Sequence, residues 1–337
     1  MKILKDFNLK DLNTFGVFVK SKLFFIIENE NDLKNILNSE EFKKNNILFL
    51  GGGSNILFTK DFDGLVILNK LKGIEILKED DINVWVKAFG GELWHDLVVF
   101  CVENNFWGIE NMSLIPGTVG ASPIQNIGAY GVELKDILES LESYEIDSGE
   151  KRIFNNTECN FGYRDSIFKN ELKGKYFISS ITVKLSKKNK LNTSYKVLEE
   201  YIKENNLKLE TSKDVSDAVS LIRKSKLPDP KVLGNAGSFF KNVYIDQKKL
   251  NELLEKYPEM NYFNENEKIK IPTAWLIEKA GWKGRRVGNV GVHEKQALVL
   301  VNYGGADGVE MVNFANLIID SVFEKFGISI TPEVNLI

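Results

Sequence analysis

Short apolar runs recur at residues 23–27, 47–50, 65–68, 84–88, 178–185 and 297–301, each the length of a buried or half-buried strand. Helical patterns separate them, at 32–37 and 93–105. The alternation predicts mixed α/β or α+β layers. After Leu185 the pattern breaks. Ser186-Lys187-Lys188-Asn189-Lys190 is wholly polar, an amphipathic segment follows to about residue 207, and a helix over about 215–224 ends at Leu227-Pro228-Asp229-Pro230. Prolines that stop a helix in this way predict a domain boundary. The Asn- and Lys-rich stretch 262–270 reads as a solvated loop, and no internal repeat is present.

Composition narrows the picture. A chain of 337 residues, 43% hydrophobic, can bury a sizeable core and is expected to form two or three domains. Lys+Arg 44 against Asp+Glu 47 leaves a net charge of −3, which gives no general attraction to nucleic acid or to an anionic membrane. No stretch reaches the ~18 uninterrupted apolar residues of a spanning helix. The first fifteen residues scatter charge among their apolar positions, unlike a signal peptide, so a cytoplasmic protein is expected. Cys101 and Cys159 fit neither a CxxC motif nor a disulfide framework and read as buried or incidental thiols.

The candidate chemistry begins with glycine. Residues 114–133, LIPGTVGASPIQNIGAYGVE, interleave Gly117, Gly120, Gly128 and Gly131 with Ser, Gln, Asn and Thr and almost no charge. Gly51-Gly52-Gly53-Ser54-Asn55 directly follows the strand-like run 47–50. Ordinary turns would explain one such cluster. Two in one chain point to close backbone approach around a large phosphate-bearing cofactor, held by main-chain N–H groups. Other classes fall away. Gly51-x-Gly53 runs on to Ile56 where a dinucleotide fingerprint needs a small residue, and there is no Gly-Lys-Ser/Thr loop. His293-Glu294-Lys295-Gln296 has Ala297 where a zinc-protease helix needs its second histidine, so no metal site is expected. Neither His95 nor His293 is accompanied by a Gly-x-Ser-x-Gly elbow.

Three further polar residues occupy apolar or glycine-bounded settings. Arg164 lies in Gly162-Tyr163-Arg164-Asp165-Ser166, ahead of a strand. Ser238 lies between Gly237 and Phe239-Phe240. Glu333 lies four residues from the last position. Each has a structural alternative: Arg164 could pair with Asp165, Ser238 could cap a helix, and Glu333 could be a solvated tail.

Taken together, Asn13-Thr14-Phe15-Gly16, 51–58, 114–133, 161–169, 226–242, 275–302 and Pro332-Glu333 resemble the UDP-N-acetylenolpyruvoylglucosamine reductase family, flavoenzymes of bacterial cell-wall precursor synthesis. The resemblance runs over nearly the whole chain, with the blocks in the same order. It implies an α+β fold: a two-part FAD-binding module of the vanillyl-alcohol-oxidase (PCMH) type plus a C-terminal α/β substrate domain. The implied boundaries are 1–70 for the first FAD-binding subdomain, joined by a tail at 326–337, then 71–222 for the second, with an inserted loop at about 186–210, and 223–325 for the substrate domain. Tyr195 in that loop is similar to the substrate-gating tyrosine of the family's longer form.

The implied reaction uses NADPH, through non-covalently bound FAD, to reduce the enolpyruvyl ether of UDP-N-acetylglucosamine to UDP-N-acetylmuramate. By resemblance Arg164 meets the substrate carboxylate, Ser238 donates a proton, and Glu333 acts as a neutral acid with a raised pKa beside the anion. The family's flavin contacts fall on Gly51, Gly52, Gly53, Ser54 and Asn55, on Pro116, Gly117, Gly120, Ala121, Ser122, Gln125, Asn126, Gly128, Ala129 and Tyr130, and on Ile178. Its substrate or nucleotide contacts fall on Tyr195, Lys226, Asn242, Tyr262, Lys283 and Gln296. A monomer is expected, without nucleic-acid or membrane partners. The rival reading is an oxygen-using FAD oxidase of a small alcohol or sugar, which gives no reason for the 226–242 block or Glu333. A degenerate copy that merely binds flavin or a UDP-sugar would not need Arg164, Ser238 and Glu333 together.

Overall fold

The computed structural model describes residues 2–265 and 268–337. The chain divides into two compact units. One holds the residues up to Phe7, Ser21–Gly52 and Asp63–Ser225, and the other holds Asn8–Lys20, Gly53–Phe62 and Lys226–Ile337.

Among the described residues the first unit carries two larger sheets and a short antiparallel pairing of Gly128–Ala129 with Val132–Glu133. A four-stranded sheet has the order Leu4–Asn8, Lys20–Ile27, Phe62–Asn69, Asn46–Leu50. Its last pair is parallel, with Ile47 opposite Leu65 and Phe49 opposite Ile67. Leu65, Val66, Ile67 and Leu68 are all buried, as a strand covered on both faces requires. The helix Glu30–Leu37 starts at Asn29, whose side chain accepts from the Asp32 amide at 3.0 Å, and it turns Leu33, Ile36 and Leu37 inward.

The second sheet is antiparallel, in the order Lys151–Asn155, Leu138–Glu145, Tyr176–Ser186, Asn83–Phe89, Ile74–Glu79. Strand Asn83–Phe89 alternates strictly, burying Val84, Val86 and Ala88. Against that face lies the helix Trp94–Glu103, with Trp94, Leu97, Val98 and Cys101 fully enclosed. The polar insertion after Leu185 is not merely loop. Lys196–Glu204 is helical, and Leu198 packs with Val215, Val219 and Ile222 of the helix Ser212–Lys226 around Trp107. Both cysteines are buried and free, and burial pushes the Cys159 thiol up to about 12.

The second unit has a four-stranded sheet, in the order Gly234–Ser238, Val299–Asn302, Val290–Val292, Arg286–Val287. A three-stranded sheet, Val243–Ile245, Lys268–Ile271, Phe263–Glu265, accompanies it. Stretch 262–270, expected as solvated loop, therefore pairs as strands on either side of Asn266 and Glu267, which lie outside the described residues. Buried Ile269 and Ile271 hold that pairing, although the apolar run is too short to stand out from its charged neighbours. The helix Gly308–Phe326 opens on a capping box between Asp307 and Glu310 and ends at left-handed Gly327.

The family block Asn13-Thr14-Phe15-Gly16 has a structural explanation here. Asn13 Nδ2 donates to the Leu9 and Val17 carbonyls at 2.9 and 3.0 Å, while its Oδ1 accepts from the Val17 amide at 3.0 Å. The turn so held offers the Thr14 carbonyl to the Asn235 amide at 2.9 Å and the Phe15 carbonyl to Asn302 Nδ2 at 3.0 Å. Phe15 also meets Phe239 edge to face at 6.2 Å. Residues far away in sequence thus brace the strand that ends at Ser238. Asn13→Ala leaves buried amide and carbonyl groups without partners and should cost about 2–3 kcal/mol. Urea unfolding checks this, and an unchanged midpoint would show that the turn is not needed.

Candidate active site

In the first unit the two glycine loops meet backbone to backbone. A methyl group on Gly52 would stand 2.9 Å from Gly117 Cα, and one on Gly51 would collide with the Thr118 hydroxyl. Only glycine permits that approach. The partner segment is itself tightly turned. Leu114, Asn126 and Tyr130 all take left-handed backbone, with φ of 56°, 46° and 48°. Gly120 packs on the Ile178 carbonyl, which brings the predicted contact at Ile178 to the same place through its main chain while its side chain stays in the core.

Several expected flavin contacts already have protein partners. Ser122 Oγ donates to the Val119 carbonyl at 2.6 Å. Asn126 is fully buried: its Nδ2 donates to Glu133 Oε2 and the Gly162 carbonyl, both at 3.0 Å, and its Oδ1 accepts from the Lys135 amide at 3.0 Å. Asn126 therefore ties the second glycine loop to the turn that carries Arg164.

That turn is closed by paired bonds between Gly162 and Asp165 and puts Arg164 at φ 53°. Lys169 Nζ donates to the Arg164 carbonyl at 3.1 Å, and Arg164 Nη2 donates to the Gly128 carbonyl at 2.9 Å. A non-glycine residue held left-handed beside a glycine loop stores strain of about 1–3 kcal/mol, a common mark of a functional position. Tyr195 stands at the start of the helix Lys196–Glu204, its ring edge to face with Tyr130 at 5.4 Å. Asn111 Nδ2 bridges the Tyr130 and Asn192 carbonyls at 2.9 and 3.0 Å, fastening the inserted segment to the glycine loop.

In the second unit Ser238 ends a strand and pairs opposite Val299, so it is not a helix cap. Gly237 before it is left-handed, with its amide held by Asn235 Oδ1 at 2.9 Å. The carbonyl of the next residue, Phe239, accepts from the Glu333 amide at 2.7 Å, and the Lys241 amide donates to the Thr331 carbonyl at 3.0 Å. The last residues also pair with 55–59: Asn335 donates twice to the Asn55 carbonyl, and Asn335–Leu336 runs parallel to Ile56–Leu57. Glu333 is therefore no loose tail, and it lies one backbone bond from the strand end that carries Ser238.

The remaining substrate candidates occupy the same unit. Asn242 Oδ1 accepts from the Thr273 amide at 3.1 Å, Lys283 pairs with Glu278 at 3.0 Å, and Gln296 Oε1 accepts from the Leu298 amide at 3.3 Å. Lys226 ends the helix Ser212–Lys226, and Tyr262 is an exposed ring just before the strand Phe263–Glu265. Gly53, Ser54 and Asn55 also belong here, whereas Gly51 and Gly52 belong to the first unit.

Two residues escaped the sequence reading. Arg223 Nε is buried with no hydrogen-bond partner among the described residues, and none of the described ion pairs involves it. Burial presses its pKa down, the nearby Tyr130 hydroxyl opposes this, and the Arg164 charge adds to it. Burial likewise raises the Tyr130 hydroxyl, against the Arg223 charge. The hydroxyl of Thr118 is also buried without a partner among the described residues. Unsatisfied buried donors and an uncompensated guanidinium beside a glycine loop match a group rich in acceptors and negative charge. The residues present thus fit FAD. Among the described residues no group of His, Cys, Asp and Glu could hold a metal.

If the half-buried Arg223 guanidinium lacks a counter-charge, Arg223→Met should leave the ligand-free chain at least as stable and weaken flavin binding at least tenfold. Urea midpoints and FAD titration together test this, and a destabilised variant that binds FAD normally would contradict it.

Comparison with known proteins gives a consistent picture. A family model described as an FAD binding domain matches residues 21–151, and one described as the C-terminal domain of UDP-N-acetylenolpyruvoylglucosamine reductase matches 229–337. The chain is similar to the UDP-N-acetylenolpyruvoylglucosamine reductases of Flavobacterium johnsoniae, 52% identical with 100% of both chains covered, and of Bacteroides fragilis, 40% identical with 99% of both covered. In fold it is similar to the crystal structure of UDP-N-acetylenolpyruvylglucosamine reductase from Thermus caldophilus, with TM-score 0.67 and 21% identity over 99% of this chain and 98% of that one. With identities of this size over full length, the chain belongs to the UDP-N-acetylenolpyruvoylglucosamine reductase family.

Proposed function

We propose that the chain uses NADPH and FAD to reduce the enolpyruvyl ether of UDP-N-acetylglucosamine to UDP-N-acetylmuramate, a step in peptidoglycan precursor synthesis. The observation that carries this reading is the Glu333 amide bond to the Phe239 carbonyl, which holds Glu333 beside the strand end bearing Ser238. An oxidase of a small alcohol or sugar has no use for that arrangement. Most of the residues assigned to the flavin fall in the first unit and most of those assigned to the substrate in the second, with Gly53, Ser54 and Asn55 in the second and Arg164 and Tyr195 in the first.

Bound FAD supplies two-electron transfer from NADPH to the terminal vinyl carbon of the substrate. Negative charge then develops on the substrate carboxylate. Arg164 meets it with a guanidinium fork suited to two carboxylate oxygens, and the left-handed turn fixes its approach before substrate arrives. Glu333, as the neutral acid, donates a hydrogen bond to the developing anion. Ser238 Oγ–H delivers a proton to the carbon next to the carboxylate, which completes the lactyl ether. A hydroxyl is a weak acid in water, so the transfer depends on a strongly basic enolate and a site from which water is excluded.

On the flavin side, Gly51–Asn55 and the segment from Pro116 to Tyr130 form the cofactor loops, with Arg223 and Thr118 as additional donors. Tyr195, Lys226, Asn242, Tyr262, Lys283 and Gln296 meet the sugar nucleotide or NADPH. Among the described residues no helix is long and apolar enough to cross a membrane, and the substrate is a water-soluble nucleotide sugar; a cytoplasmic location and a monomer complete the proposal.

Ser238→Ala should keep reduction of the flavin by NADPH while slowing its reoxidation by the enolpyruvyl substrate at least a hundredfold. Stopped-flow absorbance separates the two half-reactions, and equal losses in both would remove Ser238 from the proton-donor role.

A further inference from the structure

The second glycine loop is held along the entrance to the helix Trp94–Glu103 by a ladder of contacts. Trp94 Nε1 donates to the Met112 carbonyl, and the Trp94 amide to the Gly117 carbonyl, both at 3.0 Å. Leu93 bridges Thr118, and the Val119 and Gly120 amides donate to the Glu92 and Gly90 carbonyls, both at 2.9 Å. One rung is different in kind. The Leu114 amide donates to His95 Nδ1 at 3.2 Å, the rung of this ladder whose acceptor can be titrated. Leu114 is also where the loop takes a left-handed conformation, φ 56°, that an L side chain resists. The rung therefore sits where the loop most needs holding.

We propose that His95 is a positioning residue for the cofactor loop, acting through its neutral imidazole, and that acidification frees the loop and weakens its hold on the flavin. This rests on the FAD-binding reading above. To accept from an amide, Nδ1 must carry the lone pair and Nε2 the hydrogen. Protonation would set an N–H against the Leu114 N–H, donor facing donor. The charged groups around His95 are Asp96 on its own helix and Arg223 and Lys224 on the helix Ser212–Lys226, while residues 112–117 carry no ionisable group. Burial holds the His95 pKa below its usual value; Asp96 opposes this, and Lys224 and Arg223 reinforce it. The direction follows from linkage. A histidine whose folded-state pKa is depressed contributes fully above its unfolded value of about 6.5, and the contribution is lost as pH falls from there through the folded pKa.

The test measures FAD released from the holoprotein across an ultrafiltration membrane, between about pH 5 and about pH 8. Wild-type protein should hold FAD about three- to tenfold less tightly at the acid end. His95→Asn keeps an acceptor that does not titrate, so it should bind tightly with a flat pH profile. His95→Phe should bind weakly at every pH, and adding Leu114→Gly should restore binding because glycine holds the left-handed turn unaided. Hydrogen exchange at the Leu114 amide of the flavin-free chain gives a second readout: its protection should fall with acid in wild type and not in His95→Asn. A shared pH profile for wild type and His95→Asn, or full FAD retention by His95→Phe near pH 8, would overturn the proposal. If His95→Phe does not fold, wild type against His95→Asn still decides. A wild type that binds no FAD at any pH would instead refute the cofactor reading, with the exchange measurement still reporting on His95.

Discussion

The pairing of residues 331–337 is the constraint on which the site proposed in the second unit depends. The Glu333 amide reaches the Phe239 carbonyl only because residues 331–337 pair on one side with 239–241 and on the other with 55–59. The second of these pairings joins residues far apart in the chain, as the Thr59–Ile337 hydrogen bond illustrates at a separation of 278. Parallel pairing of Asn335–Leu336 with Ile56–Leu57 fixes the register, so Glu333 cannot slip without reversing which side chains face inward. The turn at Asn13 braces the same strand through Thr14 and Phe15. The backbone at Ser238 and Glu333 is therefore held by main-chain bonds, the preorganisation that the roles proposed for the two residues call for.

The first unit solves a different electrostatic problem. Two arginines, Arg164 and Arg223, lie close enough to affect each other, and the described residues provide Arg223 with no carboxylate. Such an arrangement is unfavourable in an empty protein and becomes favourable when an anion or an electron-rich ring edge arrives. Strain follows the same logic. Arg164, Tyr130 and Leu114 all hold left-handed backbone around the glycine loops, and each is pinned by a named hydrogen bond from Lys169, Asn111 or to His95. The site is built to be completed by what it binds.

Much of this was legible in the residues, for physical reasons. The alternating strand Asn83–Phe89 and the buried run within Phe62–Asn69 declare themselves by period and length, as does the helix Trp94–Glu103. Glycine loops stand out because close approach tolerates no side chain. Arg223 was not legible: it is one of three basic residues in Arg223-Lys224-Ser225-Lys226, and only the packing of its helix distinguishes it. Thr118 was hidden by the same logic, an ordinary residue made unusual by having no partner. His95 looked idle because its role is set by the Leu114 amide, nineteen positions away. The strands at Phe263–Glu265 and Lys268–Ile271 were concealed by charged residues on their solvent side.

The account stands or falls on whether one flavin links NADPH to the enolpyruvyl sugar nucleotide. The direct measurement is the visible spectrum of the purified protein without oxygen, followed through addition of NADPH and then of UDP-N-acetylglucosamine enolpyruvate. The account predicts flavin bands that bleach with NADPH and return with the sugar nucleotide. Bands that return only when oxygen is admitted would contradict it and make the chain an oxidase.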